Sequence, residues 1–226
     1  MNLCAQEPLI TAKQMPNAVY FLPPPPDTNS VRFQYDKAQY QWGKEQRKDA
    51  NRCAIAVRDA VWSVETICRE FSEPFGMKIS AETTPAIHRM LTIGLLTTDQ
   101  VSILPKDHYQ RTRPYVYYNE PTIAPGDEED LRNNGSYPSG HTILGWSAAL
   151  LLTELNPDRA DTILARGYMY GQSRVIAGFH WQSDVDAGML AASAAVARLH
   201  ADKEFASLME KAKEEFRHLS KQKAEK

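Results

Sequence analysis

Three short segments carry the side chains best suited to chemistry. Lys106 is followed by Arg113-Pro114, then comes Pro138-Ser139-Gly140-His141, and then Ser173-Arg174 followed by His180 and Asp184. Together they offer cations, imidazoles and a carboxylate, the inventory needed to hold a phosphoryl group while a bond to it breaks. Arginine presents donors in a fixed fork and lysine a compact charge, so Lys106, Arg113 and Arg174 can neutralise more than one oxygen without being interchangeable. Gly140 permits an oxyanion to approach the backbone, while the Ser139 hydroxyl and the amides of a helix N-terminus add donors. His141 can deliver a proton to a departing oxygen. His180 and Asp184 stand at i,i+4, so the carboxylate can accept from one ring nitrogen and leave the other free for attack. Each segment alone also has a plainer reading, as a solvated basic face, a capped helix or a histidine network serving structure.

These segments need helices to position them. The interval from Lys106 to Arg113 is close to two helical turns and puts both cations on one face if residues 106–113 are helical. Ser139 caps a helix expected to run to about Leu155, buried through Ile143, Leu144, Trp146 or Ala148, Leu151 and Leu155, and ended by Asn156-Pro157. A further helix is expected from Asp158 or Arg159 to about Gly178, then an Ala-rich one from Trp181 to Leu199 and a charged one from Asp202 to Ser220. Upstream, apolar residues three or four apart predict one surface helix from Lys44 to Glu70. A second lies between Ser80 and Thr98, with Thr83-Thr84-Pro85 as cap and first turn. Residues 114–137, rich in Pro, Gly and Asn, read mainly as loop. Their acidic cluster Asp127-Glu128-Glu129-Asp130 reads as solvated surface, and the tyrosines flanking the cationic segments as packing or mouth-lining groups. Residues 1–30, with Pro23-Pro24-Pro25-Pro26, read as a proline-rich arm preceding a helical domain at 31–226.

Composition excludes several classes. A chain of 226 residues with 42% hydrophobic residues suits one ordinary domain with a substantial core. Its formal net charge of −2 gives no broad attraction to a nucleic acid polymer. No apolar run is long enough to span a bilayer, so stable membrane insertion is not expected. The first residues, Met1-Asn2-Leu3-Cys4-Ala5-Gln6, show no complete signal peptide. Cys4, Cys53 and Cys68 form no dense disulfide framework; were Cys53 and Cys68 on one helix, they would be too far apart to bridge. His88, His108 and His200 lack a tight ligand pattern, so no metal centre is expected.

The ordered pattern Lys106-x6-Arg113-Pro114, Pro138-Ser139-Gly140-His141 and Ser173-Arg174-x5-His180-x3-Asp184 resembles the signature of the type 2 phosphatidic acid phosphatase superfamily. The longer stretches from Gly135 to Thr142, Gly171 to Ile176 and His180 to Gly188, with Phe21-Leu22-Pro23-Pro24-Pro25-Pro26, more closely resemble bacterial class A nonspecific acid phosphatases. The resemblance implies an all-α, single-domain helical bundle of the kind shared with vanadium haloperoxidases. It implies a phosphatase acting on small phosphate monoesters, nucleotides included, with neither organic cofactor nor catalytic metal. It also implies export to the periplasm and self-association.

In that likeness His180 attacks phosphorus to form a phosphohistidine, Asp184 orients it, and His141 protonates the leaving group. Lys106, Arg113, Ser139, Gly140 and Arg174 hold the phosphoryl oxygens. An alcohol replacing water would give phosphotransfer. Class A relatives can carry cysteine near Ala177, so no disulfide pattern is carried over. The alternatives are a vanadate-dependent haloperoxidase and a noncatalytic phosphate-binding protein.

Overall fold

The computed structural model describes residues 7–224. Among them the regular structure is helical: α1 (Ala18–Phe21), α2 (Val31–Gln46), α3 (Ala50–Asp59), α4 (Val64–Phe75), α5 (Pro85–Asp99), α6 (Ile103–Tyr109), α7 (Pro114–Tyr118), α8 (Glu128–Arg132), α9 (Gly140–Leu155), α10 (Ala160–Ala177), α11 (Gln182–His200) and α12 (Lys203–Ala224), with three short 3₁₀ turns between. Helix α9 is the centre. It is apolar around most of its circumference and packs against α5, α10 and α11, burying Ala148 while Trp146 is only partly covered. A helix apolar on nearly all sides has to be enclosed by others.

The ends of these helices position the chemistry. Ser139, in extended conformation, caps α9 by accepting from the Thr142 amide. Helix α10 stops at Gly178, whose φ of 92° is the left-handed conformation glycine adopts without strain. The chain then folds back so that the Phe179 and His180 amides donate to the Arg174 carbonyl. Helix α11 starts at once, its Trp181 amide donating to the Asp184 carboxylate at 2.9 Å. Gly188 lets α11 cross the start of α9: a Cβ there would stand 2.9 Å from the Ser139 carbonyl oxygen and from Thr142 Cβ.

Several elements differ from expectation. The expected helix from Lys44 to Glu70 is broken into the end of α2, α3 and most of α4, because Asp49 and Ser63 cap new helices within an unbroken amphipathic pattern. Cys53 and Cys68 therefore sit on different helices, both as free thiols; Cys4 lies outside the described residues. Thr84 makes no side-chain cap on α5; the Ala86 and Ile87 amides donate instead to Glu215 of α12. Lys106 and Arg113 do not share a helix, since α6 ends at Gln110 with φ 43° and Arg113 begins α7. Residues 114–137 contain the two short helices α7 and α8. In the described part of the N-terminal segment, Ile10, Met15, Ala18 and Leu22 are buried in the main core.

Candidate active site

The C-terminus of α6, the start of α7, the N-terminus of α9 and the α10–α11 turn converge on a cavity of about 600 Å³. Lys106, Arg113, Gly140, His141, Arg174 and His180 are on its wall. The other two expected site residues stand behind: Asp184 lies beneath His180, and Ser139 is engaged at the cap of α9, where its Oγ accepts from the Thr142 amide and hydroxyl. Ser173 points away from the cavity, donating to Asp59 at 2.6 Å.

His180 Nδ1 faces Asp184 Oδ2 at 3.3 Å, an arrangement that keeps the ring proton on Nδ1 and leaves a lone pair on Nε2. Arg113 Nη1 meets that Nε2 at 3.0 Å. Burial, then the neighbouring Arg113, Lys106 and Arg174 charges, hold His180 well below the usual imidazole range. The ring is thus neutral near pH 7, with its Nε2 lone pair turned to the cavity. His141 Nε2 donates to the Ala60 carbonyl at 3.0 Å, so any proton it gives to a substrate comes from Nδ1. Burial and the Arg174 charge push His141 well below its ordinary value too.

The cations are the most unbalanced part. Arg174 is fully buried, with all three guanidinium nitrogens lacking a hydrogen-bond partner among the described residues. The Phe179 ring lies 4.3 Å from the guanidinium carbon, while Asp127, Asp59 and Tyr170 act on it only from a distance. Burial, reinforced by Arg113, pulls Arg174 down to about 9. Burial likewise draws Arg113 down to about 10, and burial with Arg113 repulsion draws Lys106 to about 7. Lys106 donates to the Gly135 carbonyl at 2.7 Å, and Arg113 Nε to the Leu131 and Asn134 carbonyls, so both are aimed; the Asp184 charge, with Asp99 for Lys106, offsets only part of the cost of burying them. A bound oxyanion would reverse this desolvation penalty.

Sequence reasoning missed the support behind His180. Asp184 Oδ1 pairs with Arg111 at 2.5 Å, and Arg111 reaches Asp36 of α2 at 2.7 Å. Asp36 accepts in turn from the Ser183 amide and hydroxyl. Arg111 could have been suspected as the second arginine of Arg111-Thr112-Arg113; Asp36 carried no local signal. Asp99 and Trp62 also line the cavity, and so do Asp127 and Asp130, which correct the reading of that acidic cluster as solvated surface alone.

An all-helical bundle with this cavity defines the class, and the sequence agrees: residues 87–205 match the PAP2 superfamily, to which the chain belongs. Over 91% of its length it is 44% identical to a non-specific acid phosphatase of Providencia stuartii, covering 83% of that protein. It is 43% identical to a non-specific acid phosphatase of Salmonella typhimurium, over 92% of this chain and 84% of the other. An acid phosphatase of Zymomonas mobilis is 36% identical, over 91% and 80% respectively. Among the described residues no helix is long and apolar enough to cross a membrane.

Proposed function

We propose that this protein is an acid phosphatase that hydrolyses small phosphate monoesters through a phosphohistidine on His180. The observation that carries the reading is the fully buried Arg174 guanidinium, without a hydrogen-bond partner among the described residues, on the wall that also bears His180. An uncompensated buried cation beside a neutral nucleophile suits a phosphate ester better than any neutral ligand. The names of the relatives favour a phosphatase over a haloperoxidase or a noncatalytic phosphate binder.

In this reading Lys106, Arg113, Arg174, the Ser139 hydroxyl and the α9 amides at Gly140 hold the equatorial phosphoryl oxygens. Arg113 hands its contact with Nε2 to a phosphate oxygen as substrate enters. The Nε2 lone pair attacks phosphorus and the bond to the ester oxygen breaks, with His141 donating its proton to the departing alkoxide. Asp184 stabilises the charge that develops on the His180 ring, itself held by Arg111 and Asp36. Water then attacks the phosphohistidine, gives a proton to His141 and releases phosphate with neutral His180 restored. An alcohol in place of water completes phosphotransfer. We extend the proposal to nucleotides as substrates, periplasmic residence and self-association, on the class A resemblance alone.

The pH consequence follows from the two imidazoles. His141 must be protonated to act first, and its depressed pKa means that fraction grows as pH falls; His180 must be neutral, which its own depression preserves at low pH. The dianion adds negative charge that raises His141 in the complex, so turnover belongs on the acid side of neutrality. Rapid quench with a phosphate-labelled aryl ester tests the pathway. Label on His180 that appears and decays at the turnover rate is expected, absent in His180→Ala; steady turnover with no phosphohistidine would sink the covalent route.

A further inference from the structure

The cavity carries a second polarity that the phosphate-binding cations do not use. Asp99, the last residue of α5, places its carboxylate on the wall, and its Oδ1 has no hydrogen-bond partner among the described residues. Trp62 lines the same cavity, 52% exposed, with its ring edge-on to His141 at a centroid separation of 4.7 Å. Gly140 brings the two together: a Cβ there would lie 3.3 Å from the Trp62 ring and 3.5 Å from Asp99 Oδ1.

An unpartnered carboxyl oxygen accepts a hydrogen bond whether the group is ionised or protonated, and in the ionised form it also repels a phosphate oxyanion. A phosphate dianion offers no donor, so the donor that suits Asp99 Oδ1 lies on the part of the substrate that is not phosphate. That part emerges beside His141, the group assigned to protonate the ester oxygen, and both Trp62 and Asp99 adjoin the Gly140-His141 step. An aromatic face next to a carboxylate suits a molecule whose C–H surface packs on the ring while its hydroxyls donate to the oxygens.

We propose that Trp62 and Asp99 form a leaving-group subsite that selects phosphate esters of polyhydroxy alcohols, Asp99 accepting from a hydroxyl close to the ester oxygen and Trp62 covering the carbon chain. The proposal rests on the phosphatase reading and sharpens its substrate class.

The test compares glycerol 2-phosphate with isopropyl phosphate, which share a secondary ester and differ in two hydroxyls. Wild-type kcat/KM should favour the glycerol ester, and Asp99→Ala should reduce that preference roughly tenfold, the scale of a hydrogen bond to a charged group. Asp99→Asn, which keeps an acceptor oxygen, should restore part of it. Trp62→Ala, at an exposed position that leaves the core intact, should also lower the preference. Parallel losses on both esters, or no loss on either, would overturn the subsite. A selective loss on phosphoethanolamine with the glycerol preference intact would overturn it in favour of ammonium recognition. Calorimetric binding of the two esters to His180→Ala reads the same preference without turnover: its presence in a wild-type protein that hydrolyses neither ester would remove the phosphatase reading and keep the subsite, and equal affinities would remove the subsite.

Discussion

Helix α10 carries two buried arginines whose surroundings are opposites. Arg166 is clasped by Asp59, donates to Glu70 and lies over the rings of Phe71 and Tyr170. Eight residues on, Arg174 has no acceptor among the described residues and is more deeply buried. The first arrangement ties α10 to α3 and α4, and through Asp59 it fixes the neighbouring Ala60 carbonyl that holds His141. The second stores a desolvation cost that an oxyanion would offset. A paired buried charge is evidence for architecture, whereas an unpaired one beside a nucleophile is evidence for a ligand.

The sharpest way to break this contrast is to remove each charge at near-constant volume. Arg174→Met is expected to lower kcat/KM for an aryl phosphate by about 10²–10³, the scale seen when one transition-state donor is lost, while its melting temperature holds or rises. Arg166→Met strands Asp59 in the interior and is expected to cost about 3–5 kcal/mol of stability, read from denaturant unfolding. Reversal of the two phenotypes would show that the partners, and not the cavity, had been misjudged.

Inorganic phosphate supplies the next test. At a hundredfold excess over Kd it should stabilise the wild type by about 2.7 kcal/mol, roughly 5–10 °C for a chain of this size. The shift should be largely absent in Arg174→Met. An equal shift in both proteins would place the anion elsewhere.

The smallest effect concerns Asp99, the carboxylate that burial pushes up to about 6 from an ordinary 3.8, against the opposing Lys106 charge and Ser102 hydroxyl. Its folded-state pKa is raised, so its contribution to stability is fully present below about pH 4 and is lost as pH rises through about 6. Asp99→Asn removes that loss. The variant should melt above the wild type at pH 7, with the difference closing below about pH 4; a constant offset across that range would mean that Asp99 is not the titrating group.

Local periodicity and capping carried much of the fold. Ser139 as the cap of α9, Asn156-Pro157 as its end and Gly178 as the end of α10 all follow from the conformations these residues prefer, interactions that span a few positions. The same reasoning ran Lys44–Glu70 together, because an amphipathic pattern continues across a cap without marking it. It also let Lys106 and Arg113 share a face if residues 106–113 were helical, a condition the left-handed Gln110 breaks by turning the chain between them. What brings those cations side by side is the packing of α6 and α7 around the Gly135 carbonyl, to which Lys106 donates.

The sequence by itself determined the reactive side-chain types and the four-residue interval from His180 to Asp184, since both are read directly from residue type and order; His180 itself precedes α11, and Asp184 reaches back to it across the Trp181 cap. Only the tertiary structure decided that Arg111 and Asp36 back Asp184, that among the described residues Arg166 is paired and Arg174 is not, and that Trp62 and Asp99 meet at Gly140. Those contacts join residues far apart along the chain. Whether a buried charge has a partner depends on how the helices pack, and short-range spacing carries no record of that.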